Sequence, residues 1–115
     1  MKTLTYLAIG IFVFIIIRRL LGGGKVASSI VKQKLESGAI IVDVRTPEEF
    51  RDGAYPGAKN IPLAELGSRL GEIPKDKPVV VYCLSGARSS SAARAMKQAG
   101  FADVINAGGL SDMPR

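Results

Sequence analysis

The residues best suited to chemistry are Cys83-Leu84-Ser85-Gly86-Ala87-Arg88, which contain the chain's one cysteine. They follow Val79-Val80-Val81-Tyr82, a run that reads as a buried strand. They precede residues 89–99, which read as a helix beginning at Ser89. A six-residue loop between strand and helix turns backbone N–H groups inward, with the positive end of the helix behind them. A sulfur held there is stabilised as an anion. A lone cysteine also reads as a small buried apolar residue. Three features favour chemistry: the cysteine ends its strand, Gly86 supplies backbone freedom to a tight loop, and Arg88 brings a cation to a helix start. That cation is unfavourable there unless something negative faces it. Arg88 is expected to close over an oxyanion or to support the loop.

The elements that must position this loop can be read in chain order. Ser28 or Ser29 caps a helix running to about Ser37, with Gly38 as its stop. Ala39 to Val44 is a continuous apolar run of β-branched type, the mark of a strand covered on both faces. Asp43 interrupts it. A carboxylate there needs partners, and Arg45 or backbone donors are the candidates. Asp43 reads first as a structural strand-end group and second as support for the wall of the site. Thr46-Pro47-Glu48-Glu49 is a capping box that starts a short helix ending by Gly53. Ala58 to Ile61 reads as a short strand. Leu63, Leu66 and Leu70 set a helical spacing. Ala92, Ala95, Met96 and Ala99 mark the buried side of the helix after the loop. Residues 102–106 form a last strand, and 107–110 a turn. Strands alternating with helices predict an α/β domain with a small parallel sheet flanked by helices. In such sheets ligands bind at the carboxyl ends of strands.

Taken together, these residues resemble a known family. The loop Cys83 to Arg88, followed by Ser89, resembles the active-site loop of rhodaneses, sulfurtransferases that carry sulfur as a cysteine persulfide. Ile41-Val42-Asp43-Val44-Arg45-Thr46-Pro47-Glu48-Glu49-Phe50 resembles that family's first signature, and residues 57–63 its second. Asn106-Ala107-Gly108-Gly109-Leu110 resembles its closing turn. The four motifs occur in family order across residues 25–110. Two departures stand out. Ala54-Tyr55 replaces the histidine-isoleucine pair common before the Pro-Gly-Ala turn, and the usual final helix with its tryptophan is absent or vestigial.

The resemblance implies a rhodanese-like fold and a two-step cycle. The Cys83 thiolate takes the outer sulfur of a small donor, thiosulfate or a persulfide, and a thiol or cyanide acceptor removes it. The N–H groups of Leu84, Ser85, Gly86, Ala87 and Arg88 would hold the persulfide. Ser85 and Ser89 would add hydroxyl donors, though Ser89 can equally serve as a helix cap. Asp43 and Arg45 support the site. No cofactor is expected. With no histidine in the chain, activation must be electrostatic and a Cys/His metal site is implausible. Two other readings share the architecture. One is a non-catalytic binding or sulfur-carrier module. The other is a cysteine-dependent phosphatase or arsenate reductase, whose loop places five residues between cysteine and arginine where this one has four.

The formal net charge is +6 over 115 residues. Lys2, Arg18 and Arg19 contribute three charges within residues 1–24, leaving thirteen basic against ten acidic residues beyond. That modest surplus, without a basic stripe or interleaved aromatics, argues against nucleic-acid binding. Residues 3–21 are mostly apolar. As a helix they would extend about 28 Å, near the ~30 Å of a hydrocarbon core. One transmembrane helix with a Gly22-Gly23-Gly24 joint, residues 1–24, is therefore expected before a domain of residues 25–115, giving the bilayer as a partner. The alternative is a cleaved signal peptide, against which Arg18-Arg19 stand where small residues should lead to a cleavage site. The flanking charges favour single-pass residence in the inner membrane with a cytoplasmic domain, the periplasm being the alternative.

Overall fold

A computed structural model describes the backbone of residues 2–20 and 24–115 and the side chains of residues 2–16 and 24–115. Four parallel strands, β1 (Ile40–Asp43), β2 (Lys59–Asn60), β3 (Val79–Cys83) and β4 (Val104–Gly109), form one sheet in the order β2-β1-β3-β4. All five residues of β3 are buried, which is why it reads as an unbroken apolar run: it lies between two strands and is covered on both faces.

The strand period of two sorts side chains onto those faces. Val79, Val81 and Cys83 join Val42, Val44 and Val104 on one face. Helices α4 (Leu63–Arg69) and α5 (Ala87–Gln98) cover it through Leu66, Ala92, Ala93 and Met96. Val80 and Tyr82 point to the other face, against Val31 of α2 (Ser28–Glu36), with Ala107 and Met113. Full burial of a valine- or leucine-sized side chain contributes about 1.5–3 kcal/mol, so these two clusters hold the sheet in place. Before α4, the short helix α3 (Pro47–Arg51) has the expected capping box: Glu49 N–H donates to Thr46 Oγ1 and Thr46 N–H to Glu49 Oε1.

Several local expectations are corrected. Neither Ser28 nor Ser29 caps α2; Ala27 does, its carbonyl accepting from Ile30 and Val31. Helix α5 begins at Ala87, two residues earlier than expected, so the loop shrinks to Leu84–Gly86 and Arg88 lies in the first helical turn. That start places Ser89, Ala92, Ala93 and Met96 on the buried face at helical spacing, and leaves Ala95 exposed. Residues 107–109 extend β4 instead of turning, because Gly108 and Gly109 pair with Tyr82 and Cys83.

The N-terminal helix α1 (Lys2–Leu20) is present, and its described side chains are exposed. Among the described residues no helix is long and apolar enough to cross a membrane. The transmembrane anchor and bilayer partner expected over residues 3–21 are thus not borne out. The side chains of Arg18 and Arg19, and residues 21–23 with most of the glycine joint, lie outside the described residues.

Candidate active site

Cys83 closes β3 at the carboxyl edge of the sheet, on the face covered by α5. Gly86 has φ 101°, a left-handed conformation that glycine adopts without steric cost. It reverses the chain so that its own N–H donates to Cys83 Sγ at 2.9 Å. Burial pushes the Cys83 thiol up. The Ser89 hydroxyl and the N–H groups of Ser89, Gly86 and Ser85 outweigh that and leave its pKa below the ordinary thiol value. Cys83 itself has no exposed surface, whereas Leu84, Ser85 and Ala87 are exposed. The sulfur therefore lies beneath the loop, stabilised by dipoles and covered.

Behind the sulfur is a buried polar chain. Ser89 Oγ lies 3.4 Å from Cys83 Sγ and 2.6 Å from Asn106 Oδ1. Asn106 Oδ1 also accepts from Gly108 N–H, and its Nδ2 donates to the Gly86 carbonyl. A hydroxyl has one hydrogen. With a neutral thiol, Ser89 donates to Asn106 and can accept from S–H; with a thiolate, its hydrogen can turn to sulfur. Asn106 pairs with Val81, so strand alternation puts it on the sulfur's face; β4 then bulges, Tyr82 pairing with Gly108, the extra residue breaking register locally.

The glycine pair after Asn106 sets the approach of β4 to the loop. A Cβ on Gly109 would collide with the Leu84 carbonyl oxygen, although φ there is an ordinary −91°. The constraint is steric. Gly109→Ala is expected to cost about 1–3 kcal/mol and to weaken the sulfur's dipole cradle, read together as a lower urea midpoint and slower thiol alkylation at pH 7. Wild-type values for both would show that the loop yields freely.

Arg88 is engaged by a carboxylate. Its Nη1 and Nη2 meet Glu49 Oε1 and Oε2 at 2.7 and 3.0 Å, a bidentate pair. Glu49 Oε1 also accepts from Thr46 N–H and hydroxyl. The helix cap of α3 and the first turn of α5 are thus one network. Arg88, and then Thr46, hold the Glu49 carboxyl down at about 2. Because that folded pKa lies below the ordinary 4.5, the pair's stabilisation is complete above the ordinary value and is lost as pH falls towards 2. Glu49→Gln keeps a capping oxygen but loses the charge. It should cost about 1 kcal/mol at pH 7 and flatten the fall in stability between pH 4.5 and 2, measured by urea titration at several pH values. An unchanged acid slope would contradict the assignment.

Asp43 and Arg45 are brought together but away from Cys83. Arg45 Nε and Nη2 bind Asp43 at 3.0 and 2.7 Å, and Nη2 also reaches the Gly53 carbonyl. Both residues are buried, at 0% and 4% exposure. Asp43 follows Val42 and pairs with Tyr82, so strand alternation puts its side chain on the face opposite the sulfur. Arg45 lies over the Tyr82 ring at 5.7 Å, and the Tyr82 hydroxyl accepts from Tyr55 N–H. Burial pushes the Tyr82 phenol up to about 12. This cluster braces β1, β3 and the end of α3. Asn60 joins it, donating from Nδ2 to the Asp43 and Arg45 carbonyls.

Glu49 is legible in the sequence as a helix cap, and Asn106 as the end of the last strand and the head of the closing-turn motif; neither is marked there as part of the site. Among the residues singled out around the loop, Ser85, Gly86 and Ser89 act on the sulfur, while Leu84 and Ala87 face outward.

Comparison with known proteins places this geometry. Residues 28–113 match the family model of the rhodanese-like domain. A sulfurtransferase of Allochromatium vinosum is 45% identical over 67 residues, covering 58% of this chain and 63% of that protein; the chain thus spans just under two thirds of that relative. The thiosulfate sulfurtransferase PspE of Escherichia coli is 40% identical over 74 residues, covering 63% and 71%. Among solved structures, the human single-domain sulfurtransferase TSTD1 superposes with a TM-score of 0.69 at 29% identity, covering 76% of this chain and 92% of that one. A rhodanese with anions from Escherichia coli gives 0.62 at 39%, covering 66% and 94%. With a family match over most of its length, a parallel α/β sheet and a cysteine loop at the carboxyl edge, the chain belongs to the rhodanese-like domain family.

Proposed function

We propose that the protein is a sulfurtransferase that carries sulfane sulfur as a persulfide on Cys83. The observation that supports this best is the convergence of the Ser85, Gly86 and Ser89 N–H groups and the Ser89 hydroxyl on one sulfur. Thiosulfate can serve as a donor in this scheme. The Cys83 thiolate attacks its outer sulfur, the S–S bond breaks, sulfite leaves with the electron pair, and Cys83 becomes a persulfide anion. The same N–H groups then face the added negative charge, the arrangement by which oriented dipoles stabilise a developing anion. A thiolate or cyanide attacks the outer sulfur and returns the Cys83 thiolate. Since Cys83 is fully covered, the loop of residues 84–86 must shift to admit either reactant.

The complete burial of Cys83 favours a second reading, a binding module without turnover. The phosphatase reading loses support because Arg88 is committed to Glu49 and offers no guanidinium to a phosphate above the sulfur.

Sulfur loading from thiosulfate should rise with pH as the thiolate forms and level off, with a midpoint below the ordinary thiol value of about 8.5. Ser89→Ala should raise that midpoint. Single-turnover loading at several pH values, read by cyanolysis of the persulfide, tests this. A midpoint at or above the ordinary value, or one indifferent to Ser89, would count against the proposal.

A further inference from the structure

The loop's outer surface carries information about the substrate that the sulfur's surroundings do not. Beyond α1, the large apolar side chains exposed among the described residues are Ile30, at 41%, and Leu84, at 60%. Leu84 is the residue next to the nucleophile, and its carbonyl is packed against Gly109, so its exposed side chain stands on the loop's outer surface beside β4. The residues after it, Ser85, Gly86 and, at the start of α5, Ala87, are uncharged. Two basic side chains beside the loop are each matched to a carboxylate: Arg88 to Glu49, and Lys25, which passes beside Gly108, to Asp112.

We infer, on the sulfurtransferase reading, that the preferred sulfur donor is an organic persulfide with an apolar group beside its sulfur, and that thiosulfate is a poor substitute. The backbone N–H cradle satisfies the single sulfur being transferred. Whatever that sulfur was attached to must sit outside the cradle, against Leu84. A sulfonate there meets a hydrocarbon surface and cations that are already neutralised. An apolar group there removes Leu84 from water. The step balances without an added oxidant or reductant. The Cys83 thiolate attacks the outer sulfur of R–S–SH, the donor S–S bond breaks, the thiolate R–S⁻ leaves with the electron pair, and Cys83–S–SH forms.

Three sulfane donors separate the effects of charge and hydrocarbon: thiosulfate, methanethiosulfonate and benzenethiosulfonate. The second and third are monoanions that both release a sulfinate and differ in the size of the apolar group. The expected order of kcat/KM is thiosulfate, then methanethiosulfonate, then benzenethiosulfonate, the last step being about tenfold. Leu84→Ser should shrink that last step to about twofold, and Leu84→Lys should raise thiosulfate relative to methanethiosulfonate. Circular dichroism checks that both variants are folded; Leu84→Ala repeats the test if the serine variant is not. A methyl-to-phenyl ratio that ignores Leu84, or a preference for thiosulfate, would overturn the inference while leaving the sulfurtransferase reading intact. Failure of all three donors to load Cys83 would overturn both.

Discussion

Cys83→Ser is expected to abolish sulfur turnover while leaving the fold in place. The substitution exchanges one small buried side chain for another, and the groups around it are already polar: Gly86 N–H, Ser89 and Asn106. Stability should change by no more than about 1 kcal/mol. Turnover should fall by about a thousandfold or more, since a hydroxyl without a general base is a weak nucleophile and the chain holds no histidine to act as one. Sulfur release from donor to cyanide, measured beside urea unfolding, separates the two effects. Residual turnover near the wild-type rate would mean that another group carries the chemistry. Loss of turnover with a comparable loss of stability would leave Cys83 as a packing residue.

Asp43→Ala should give the largest loss of stability in the domain. Removing one partner of a buried ion pair leaves the other charge unpaired, at a cost of about 3–5 kcal/mol. Here the orphan is Arg45, 4% exposed and left with the Gly53 carbonyl and the face of Tyr82. Small domains hold about 5–15 kcal/mol in all, so the melting temperature should drop by at least about 15 °C. Asp43→Asn, which keeps an acceptor for the Arg45 backbone N–H, should fall between. Thermal unfolding followed by circular dichroism decides the point. A loss under about 1 kcal/mol for the alanine variant would show that water reaches the guanidinium and that the pair is not a brace.

What could be read in advance was local. The run Val79 to Tyr82 reads as a buried strand because four adjacent apolar β-branched or aromatic residues fit few other places. Thr46 and Glu49 announced a helix start because a capping box is complete within four residues. Arg45 was a candidate partner for Asp43 because the two are neighbours. The contacts that matter most to the site are distant in sequence. Glu49 and Arg88 are 39 residues apart, and no local pattern announces that a helix cap also holds the first turn of α5. Asn106 acts on the loop through its register against Val81, and register is set by pairing between strands. The start of α5 was misplaced by two residues because Ala87 and Arg88 carry no cap signal. The N-terminal helix is a case where composition and length are not backed by the structure: residues 3–21 read as a membrane span, and among the described residues no helix is long and apolar enough for one.

The central claim is that the covered sulfur of Cys83 is reachable and accepts a sulfane atom. Intact mass spectrometry after incubation with thiosulfate, followed by removal of the donor, tests it most directly. A gain of one sulfur atom is expected on the wild-type chain, reversed by cyanide and absent from Cys83→Ser. An unchanged mass at every donor concentration, or the same gain on the serine variant, would contradict it.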